Sequence, residues 1–269
     1  MISREKYESI VIEKRENGVA VATLNRPEKL NAVDGRLHWE LAHLWPDVGS
    51  DPEIRVLVVT GAGRAFCAGG DFSAARRPSP GGPDAMMREA RQIVDNLLDL
   101  EKPVISAVRG YAMGLGATVA LLCDIVIAGR QTTFADTHVN MGIGAGDGGQ
   151  VIWPLLIGVN RAKYHLMTGD RLAAPEAFAF GLVNAVVDEE EVLPRALAIA
   201  DRLAAGPAQA ISASKVPINK YIKMVSNLVL PLSLNLEEAS MASDDAKEAR
   251  LAFQEKRPPR FAGAKPRVE

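Results

Sequence analysis

The chain has 269 residues, 48% apolar and 24% charged, with a formal net charge of -2. That make-up belongs to an ordinary folded protein and excludes a disordered chain, which needs low hydrophobicity and high charge. It also supplies no basic field for nucleic acid, and its two cysteines, Cys67 and Cys123, are too few for a disulfide framework.

The opening MISREKYESI lacks the basic-then-apolar signal pattern, and no apolar run reaches the roughly 18 residues of a membrane span. A cytoplasmic protein without a membrane partner is the expectation. Tyr7 to Lys14 alternates, Asn17-Gly18 supplies a turn, and Val19 to Leu24 runs apolar and β-branched, which predicts a hairpin. Asp34 or Asn31 caps a helix through about Leu44, broken at Pro46. Arg55 to Thr60, Pro103 to Val108 and Asp124 to Ala128 read as buried strands. Helices are predicted between them at about Asp84 to Leu100 and Gly114 to Leu122. Residues 76–84, RRPSPGGPD, read as a mobile surface loop placed to close over a substrate. Beyond 148 the signals are mostly helical, at 158–168, 174–181, 190–205, 207–226 and 232–256. The pattern predicts an α/β core over 1–200 and a helical region over 201–269, with a linker near 200–210.

Three glycine-rich stretches stand out: Arg64 to Asp71, Gly110 to Gly116, and His138 to Gly149. Glycines let a backbone approach a ligand closely. The second stretch opens a helix, whose first N–H groups lack internal partners and face the positive end of the dipole. An N–H near Leu115 and another near Ala68 would together make an oxyanion hole, worth about 3–4 kcal/mol per donor. The alternative for either turn is tight helix–strand packing.

Taken in order, the motifs N-R-P-x-x-x-N-A (Asn25 to Ala32), A-F-C-A-G-G-D (Ala65 to Asp71), P-V-I-S-A-V-R-G-Y-A-M-G-L-G (Pro103 to Gly116) and C-D-I-V-I-A (Cys123 to Ala128) resemble the crotonase, or enoyl-CoA hydratase/isomerase, superfamily. The resemblance spans about residues 7–260. It implies a spiral of ββα units with a helical C-terminal region that builds a homotrimer or hexamer. It also implies an acyl-CoA thioester substrate, with coenzyme A as part of that substrate and no separate cofactor or metal. By motif position the enolate is held by the N–H groups of Ala68 and Leu115. Gly114 and Gly116 flank the second donor. Arg26, Lys29 and Leu30, the stretch Ala65, Phe66, Gly69, Gly70, Asp71 and Phe72, and the C-terminal Phe253 and Lys256 fall where the coenzyme lies. Lys256, Arg257 and Arg260 suit a phosphate by charge; the alternative is a solvated basic tail.

The sequence departs from the family's hydratases at both catalytic glutamates, whose positions are Thr118 and His138. His138 and Asp147, nine residues apart around a glycine-rich loop, are the substitute: a carboxylate fixes an imidazole's tautomer and raises its basicity. The alternative makes Asp147 an N-cap for the apolar run Val151 to Ile157, and His138 an ordinary loop residue. The His/Asp spacing is similar to a subgroup that includes 6-oxocamphor hydrolase, which implies retro-Claisen C–C hydrolysis of a β-diketone or 3-oxoacyl substrate. Retention of Gly114-Leu115-Gly116 favours a CoA thioester, and a non-catalytic binding module is a further alternative. His38, His43 and His165 fall on predicted helices with no metal-ligand spacing. Glu237 and Glu238 sit on a late helix with nothing in the spacing that requires them at a site.

Overall fold

The computed structural model describes residues 6–73 and 76–262. Strands β1 (Ile10–Lys14) and β2 (Val19–Leu24) form the predicted antiparallel hairpin, with Ile10 opposite Leu24. Helix α1 (Gly35–Ser50) follows, then β3 (Val56–Gly61), α2 (Met86–Asp99), β4 (Val104–Val108), β5 (Tyr111–Met113), α3 (Leu115–Leu122), β6 (Ile125–Gly129) and β7 (Thr133–Ala135). The rear of the chain carries α4 (Gly149–Ile157), α5 (Val159–Thr168), β8 (Leu172–Ala173), α6 (Ala174–Phe180), β9 (Ala185–Val187), α7 (Val192–Ala204), α8 (Ala208–Met241) and α9 (Asp244–Gln254).

The main sheet runs β1-β2-β3-β4-β6-β9, and every pairing after the hairpin is parallel. β3 and β4 are buried along their whole length, as a parallel sheet covered on both faces requires. One face packs Val56, Val58, Ile105 and Ile127 against Ala196 and Ala200 of α7. The other packs Leu57, Val59 and Val104 into the larger core with Leu41 and Trp45 of α1 and Ile93 and Leu97 of α2. A small second sheet, β5-β7-β8, escaped the sequence reading because its strands are two or three residues long.

Asp34 is the N-cap of α1, its carboxylate accepting from Leu37 N at 2.9 Å. The expected break at Pro46 is absent. A proline inside a helix strands the carbonyl four residues back, and here the Asn96 side-chain amide on α2 donates to Ala42 O at 2.9 Å. The two late helices predicted over 207–226 and 232–256 are one 34-residue helix through Pro217 and Pro231, and the break comes instead at Ser243, the N-cap of α9. Tertiary anchors hold α8: Asn219 donates to Leu98 O, Lys215 pairs with Asp124, and Leu230 and Leu234 enter the main core. The helical rear and the α/β front therefore share one apolar interior.

The loop read as mobile is stapled down from residue 77. Gly35 N donates to Arg77 O at 2.9 Å, and the Arg77 guanidinium reaches Asp34 at 2.7 Å and the Ser9 hydroxyl at 2.6 Å. Among the described residues no helix is long and apolar enough to cross a membrane.

The Asn96 prosthesis for Pro46 is testable. Asn96→Ala leaves the Ala42 carbonyl without its donor, and the expected loss of stability is about 1–2 kcal/mol, read from the urea midpoint at unchanged slope.

Candidate active site

The glycine-rich segment 65–71 runs between two fixed strands. On one side Cys67 N donates to Tyr111 O and Met113 N to Cys67 O; on the other Val33 N donates to Gly69 O and Asp71 N to Val33 O. This pairing decides which amides are free. Ala68 N donates to Leu30 O at 3.0 Å, so the expected donor is consumed. Gly70 lies between the two residues that bond Val33, so its own N–H points the other way. That N–H has no acceptor among the described residues. The amide left free on this stretch is therefore that of Gly70, not that of Ala68.

Leu115 is the first residue of α3, and its N–H likewise has no acceptor among the described residues. Gly114 before it adopts φ 50°, a left-handed value that favours glycine, and a Cβ there would lie 3.8 Å from Gly69 Cα and 3.3 Å from His138 Cε1. The two loops are joined directly by the Met113 N to Cys67 O bond, 2.9 Å. Gly70 and Leu115 border one cavity of about 370 Å³, together with Asp71, Phe72, Gly114, His138, Asp147 and Glu237.

His138 sits on a short 3-10 turn just after β7. Its Nδ1 lies 2.6 Å from Asp136 Oδ1, and its Nε2 lies 3.3 Å from Asp147 Oδ2 and 3.9 Å from Glu237 Oε1. Asp147 Oδ1 accepts from the Thr118 hydroxyl at 3.3 Å. Asp147 is not the cap of α4; Gly148 occupies that position, and the carboxylate turns to the imidazole instead. His138 and Asp147 come together as expected, and a second carboxylate joins them. Asp136, two residues upstream on the same turn, holds Nδ1, and Asp147 meets the opposite nitrogen. A carboxylate at each ring nitrogen calls for a proton on both. Burial by itself would lower His138, but the charges of Asp147 and Asp136 outweigh it and carry it well above its ordinary value. Burial, reinforced by Asp147, pushes Glu237 up to about 8, so this carboxyl is protonated at neutral pH. Asp136 Oδ2 and Glu237 Oε2 are buried without a hydrogen-bond partner.

Sequence reasoning missed Asp136 and left Glu237 without a role. Asp136 had a local signal, the D-x-H spacing. Glu237 had none: it arrives from α8, about a hundred residues later, and only the packing of that helix brings it to the cavity. Ligand atoms of Asp136, His138 and Asp147 lie within 4.8 Å of one another, a spacing compatible with a cation. An ion there would have to displace the imidazole protons that bind the two carboxylates.

The other predicted contacts divide by what holds them. Arg26 is a buried brace, not a free ligand group: its guanidinium reaches Asp71 at 3.0 Å, Asp34 at 3.2 Å and the Ala32 carbonyl. Asp71 borders the cavity, but its oxygens serve Arg26 and the Ser73 amide, which holds its carboxyl below the usual range although burial opposes this. Ala65 and Phe66 are core residues, and Gly116 lets α3 approach Cys67, where a Cβ would sit 2.6 Å from the Cys67 Cβ. Thr118 is fully buried, and its hydroxyl donates to Asp147. Lys29 and Leu30 lie on the short 3-10 turn and its end, outside the cavity wall. Phe253 is exposed on α9 and packs edge-on against Phe72 of the same chain at 6.3 Å between ring centres. Lys256 has no ion-pair partner among the described residues. Arg257 is engaged by Glu248 and Glu255 and is not a free cation.

The enoyl-CoA hydratase/isomerase family matches residues 14–264. A crotonyl-CoA hydratase of Syntrophomonas wolfei subsp. wolfei is 34% identical over 256 residues, covering 95% of this chain and 98% of that protein. A 1,2-epoxyphenylacetyl-CoA isomerase of Escherichia coli K12 is 37% identical over 253 residues, covering 92% and 96%. The crystal structure of an enoyl-CoA hydratase from Mycobacterium avium subsp. paratuberculosis K-10 superposes with a TM-score of 0.86 at 29% identity, over 94% of this chain and 98% of that one. With that match across nearly its whole length, and with the α/β spiral and helical C-terminal region described above, the chain belongs to the enoyl-CoA hydratase/isomerase, or crotonase, family of enzymes.

Proposed function

We propose that this enzyme acts on an acyl-CoA thioester through an enolate held by the N–H groups of Gly70 and Leu115, with His138 and Asp147 in place of the usual glutamate pair. The observation that carries the reading is that two unpaired amides, on loops in contact, border the same cavity as the His138–Asp147 pair. Amide donors placed where charge gathers stabilise the transition state at no cost in reorganisation. Because His138 is already protonated, the proton acceptor is Asp147. His138 Nε2 lies 3.3 Å from that carboxylate. In hydration Asp147 takes a proton from the water that attacks the β-carbon, and the protonated Glu237 delivers one to the α-carbon. His138 Nε2, in reach of both carboxyls, returns the proton from Asp147 to Glu237. In isomerisation Asp147 takes the proton from the substrate carbon instead. Phe253 on α9, packed edge-on against the cavity-lining Phe72 of the same chain, supports a coenzyme path beside that helix.

A second reading keeps the site and changes the bond: a water activated by the same cluster attacks a ketone, and the leaving enolate occupies the Gly70–Leu115 position. The dense polar wall of His138, Asp147 and Glu237 favours it. Calorimetry with CoA separates the two, since a free β-diketone hydrolase has no use for the coenzyme.

We also propose the homotrimer, or a pair of trimers, implied by the family resemblance. An exposed stripe along α8, Ile218, Tyr221, Leu228, Leu232 and Leu236, repeats at helical spacing and leaves apolar surface for another copy.

A panel of enoyl-CoA, 3-oxoacyl-CoA and cyclic diketone substrates identifies the reaction. On the best of them Leu115→Pro is expected to lower kcat about 10²–10³-fold relative to Leu115→Ala. Proline is tolerated at the first helical position and removes only the N–H beyond what alanine removes. Equal rates for the two variants would sink the enolate hole. The pH prediction follows from Glu237, which holds its proton in the folded state up to about 8 against an ordinary 4.5. The folded form binds more protons in that window, so stability falls as pH rises from about 4.5 to about 8. The wild-type urea midpoint is therefore expected to drop relative to Glu237→Gln across those values. Sedimentation should find an assembled wild type and a smaller species for the Leu228→Asp/Leu232→Asp double variant.

A further inference from the structure

The cavity carries a second histidine that the enolate chemistry leaves unused. His38, in the first turn of α1, turns Nδ1 toward Glu89 Oε2 at 2.8 Å, and Glu89 Oε1 accepts from the Ser79 hydroxyl at 2.5 Å. Glu89 itself is 2% exposed and does not reach the cavity. Burial would raise its pKa, but the hydrogen bonds from His38 and Ser79 outweigh this and hold it below its ordinary value. An ionised acceptor obliges Nδ1 to carry a proton. His38 lines the cavity, and with Nδ1 taken by Glu89 its other ring nitrogen, Nε2, is neither bonded nor sealed off among the described residues.

The brace behind this imidazole is itself fixed. Ser79 Oγ also accepts from Gly81 N at 2.9 Å, and a Cβ on residue 81 would sit 2.4 Å from Glu89 Oε1. The carboxylate is thus pressed against backbone that admits no side chain. The same loop is tied to the start of α1 by Gly35 and Arg77. Around Glu89, α2 turns Met86, Met87 and Ala90 to the cavity, an apolar wall suited to a carbon chain. One rigidly aimed polar atom in that wall is a recognition element, because it loses its partner whenever a plain alkyl chain fills the space.

We propose that His38 is a specificity-determining residue: its Nε2, oriented by Glu89 and Ser79, hydrogen-bonds an oxygen substituent of the acyl group, so that the enzyme prefers an acyl-CoA bearing a hydroxyl or oxo function besides the thioester carbonyl. A neutral ring accepts from a hydroxyl, and a protonated one donates to an oxo group. The inference rests on the acyl-CoA reading above and narrows its substrate class.

The test compares kcat/KM for three enoyl-CoA substrates of equal chain length, alkyl, hydroxylated and oxo-substituted, in the wild type and in His38→Asn, which keeps a donor for Glu89 and lacks the Nε2 edge. The wild type is expected to favour an oxygenated chain over the alkyl one by about tenfold to hundredfold. His38→Asn is expected to bring the three substrates within about twofold of each other. A parallel ¹⁵N spectrum of the wild-type imidazoles should show the His38 Nε2 resonance moving with the oxygenated acyl-CoA and not with the alkyl one, which keeps the test open should the variant fold poorly. Turnover without preference in the wild type, a preference retained in His38→Asn, or an unmoved resonance overturns this inference alone. If no acyl-CoA binds or turns over, the acyl-CoA reading falls and takes the inference with it.

Discussion

The site depends on how one seven-residue stretch of backbone is paired. Residues 65–71 are held between Val33 and β5 by four main-chain hydrogen bonds, and extended pairing alternates the direction of successive amides. Ala68 must then face Leu30, and Gly70 must face away from Val33. Residues that hold this stretch matter as much as those that line the cavity. Arg26, buried and bonded to Asp34, Asp71 and the Ala32 carbonyl, pins the turn that carries Leu30 and Val33. A charged group so deep is tolerable because each of its partners is an oxygen in place to meet it.

The second constraint is electrostatic. Three carboxyls crowd one imidazole. The charges of Asp147 and Asp136 raise His138 although burial opposes this, and burial with Asp147 beside it raises Glu237 to about 8. Asp147 then has a cation on one oxygen and the Thr118 hydroxyl on the other. Pairs of titratable groups whose surroundings push them apart are what acid–base chemistry at neutral pH needs. The same crowding makes the cluster a strain on the fold, accepted at the place where the substrate would sit.

The sequence was most legible where local chemistry decides local structure. The hairpin, the three buried strands and the Asp34 cap follow from alternation, β-branching and capping, and residues of all three glycine-rich stretches border one cavity. It was least legible where a partner from elsewhere changes the outcome. Pro46 does not end α1 because Asn96, on another helix, serves the carbonyl it strands. The loop at 76–84 looks mobile by composition yet is tied down by Arg77 and Ser79. Ala68 and Gly70 are equally plausible donors in one dimension, and only the register against Val33 separates them. Asp136 was within reach of a pattern; Glu237 and the Glu89 behind His38 were not, because helix packing alone brings them near.

These two constraints differ in how freely evolution can alter them. An oxyanion site made of main-chain N–H groups asks nothing of the side chains that bear it, beyond room for the turn; Leu115 can serve as a donor because only its amide is used. Acid and base groups are side chains and must come from somewhere. In the proposed chemistry they would come from the turn after β7, from the loop before α4 and from α8, three segments that meet at one cavity. In the proposed chemistry, a site with Thr118 and His138 at the two glutamate positions keeps the free amides of Gly70 and Leu115 and draws its proton-transfer groups from a different part of the wall. The scaffold sets where negative charge is stabilised, and the side chains placed around it decide which proton moves.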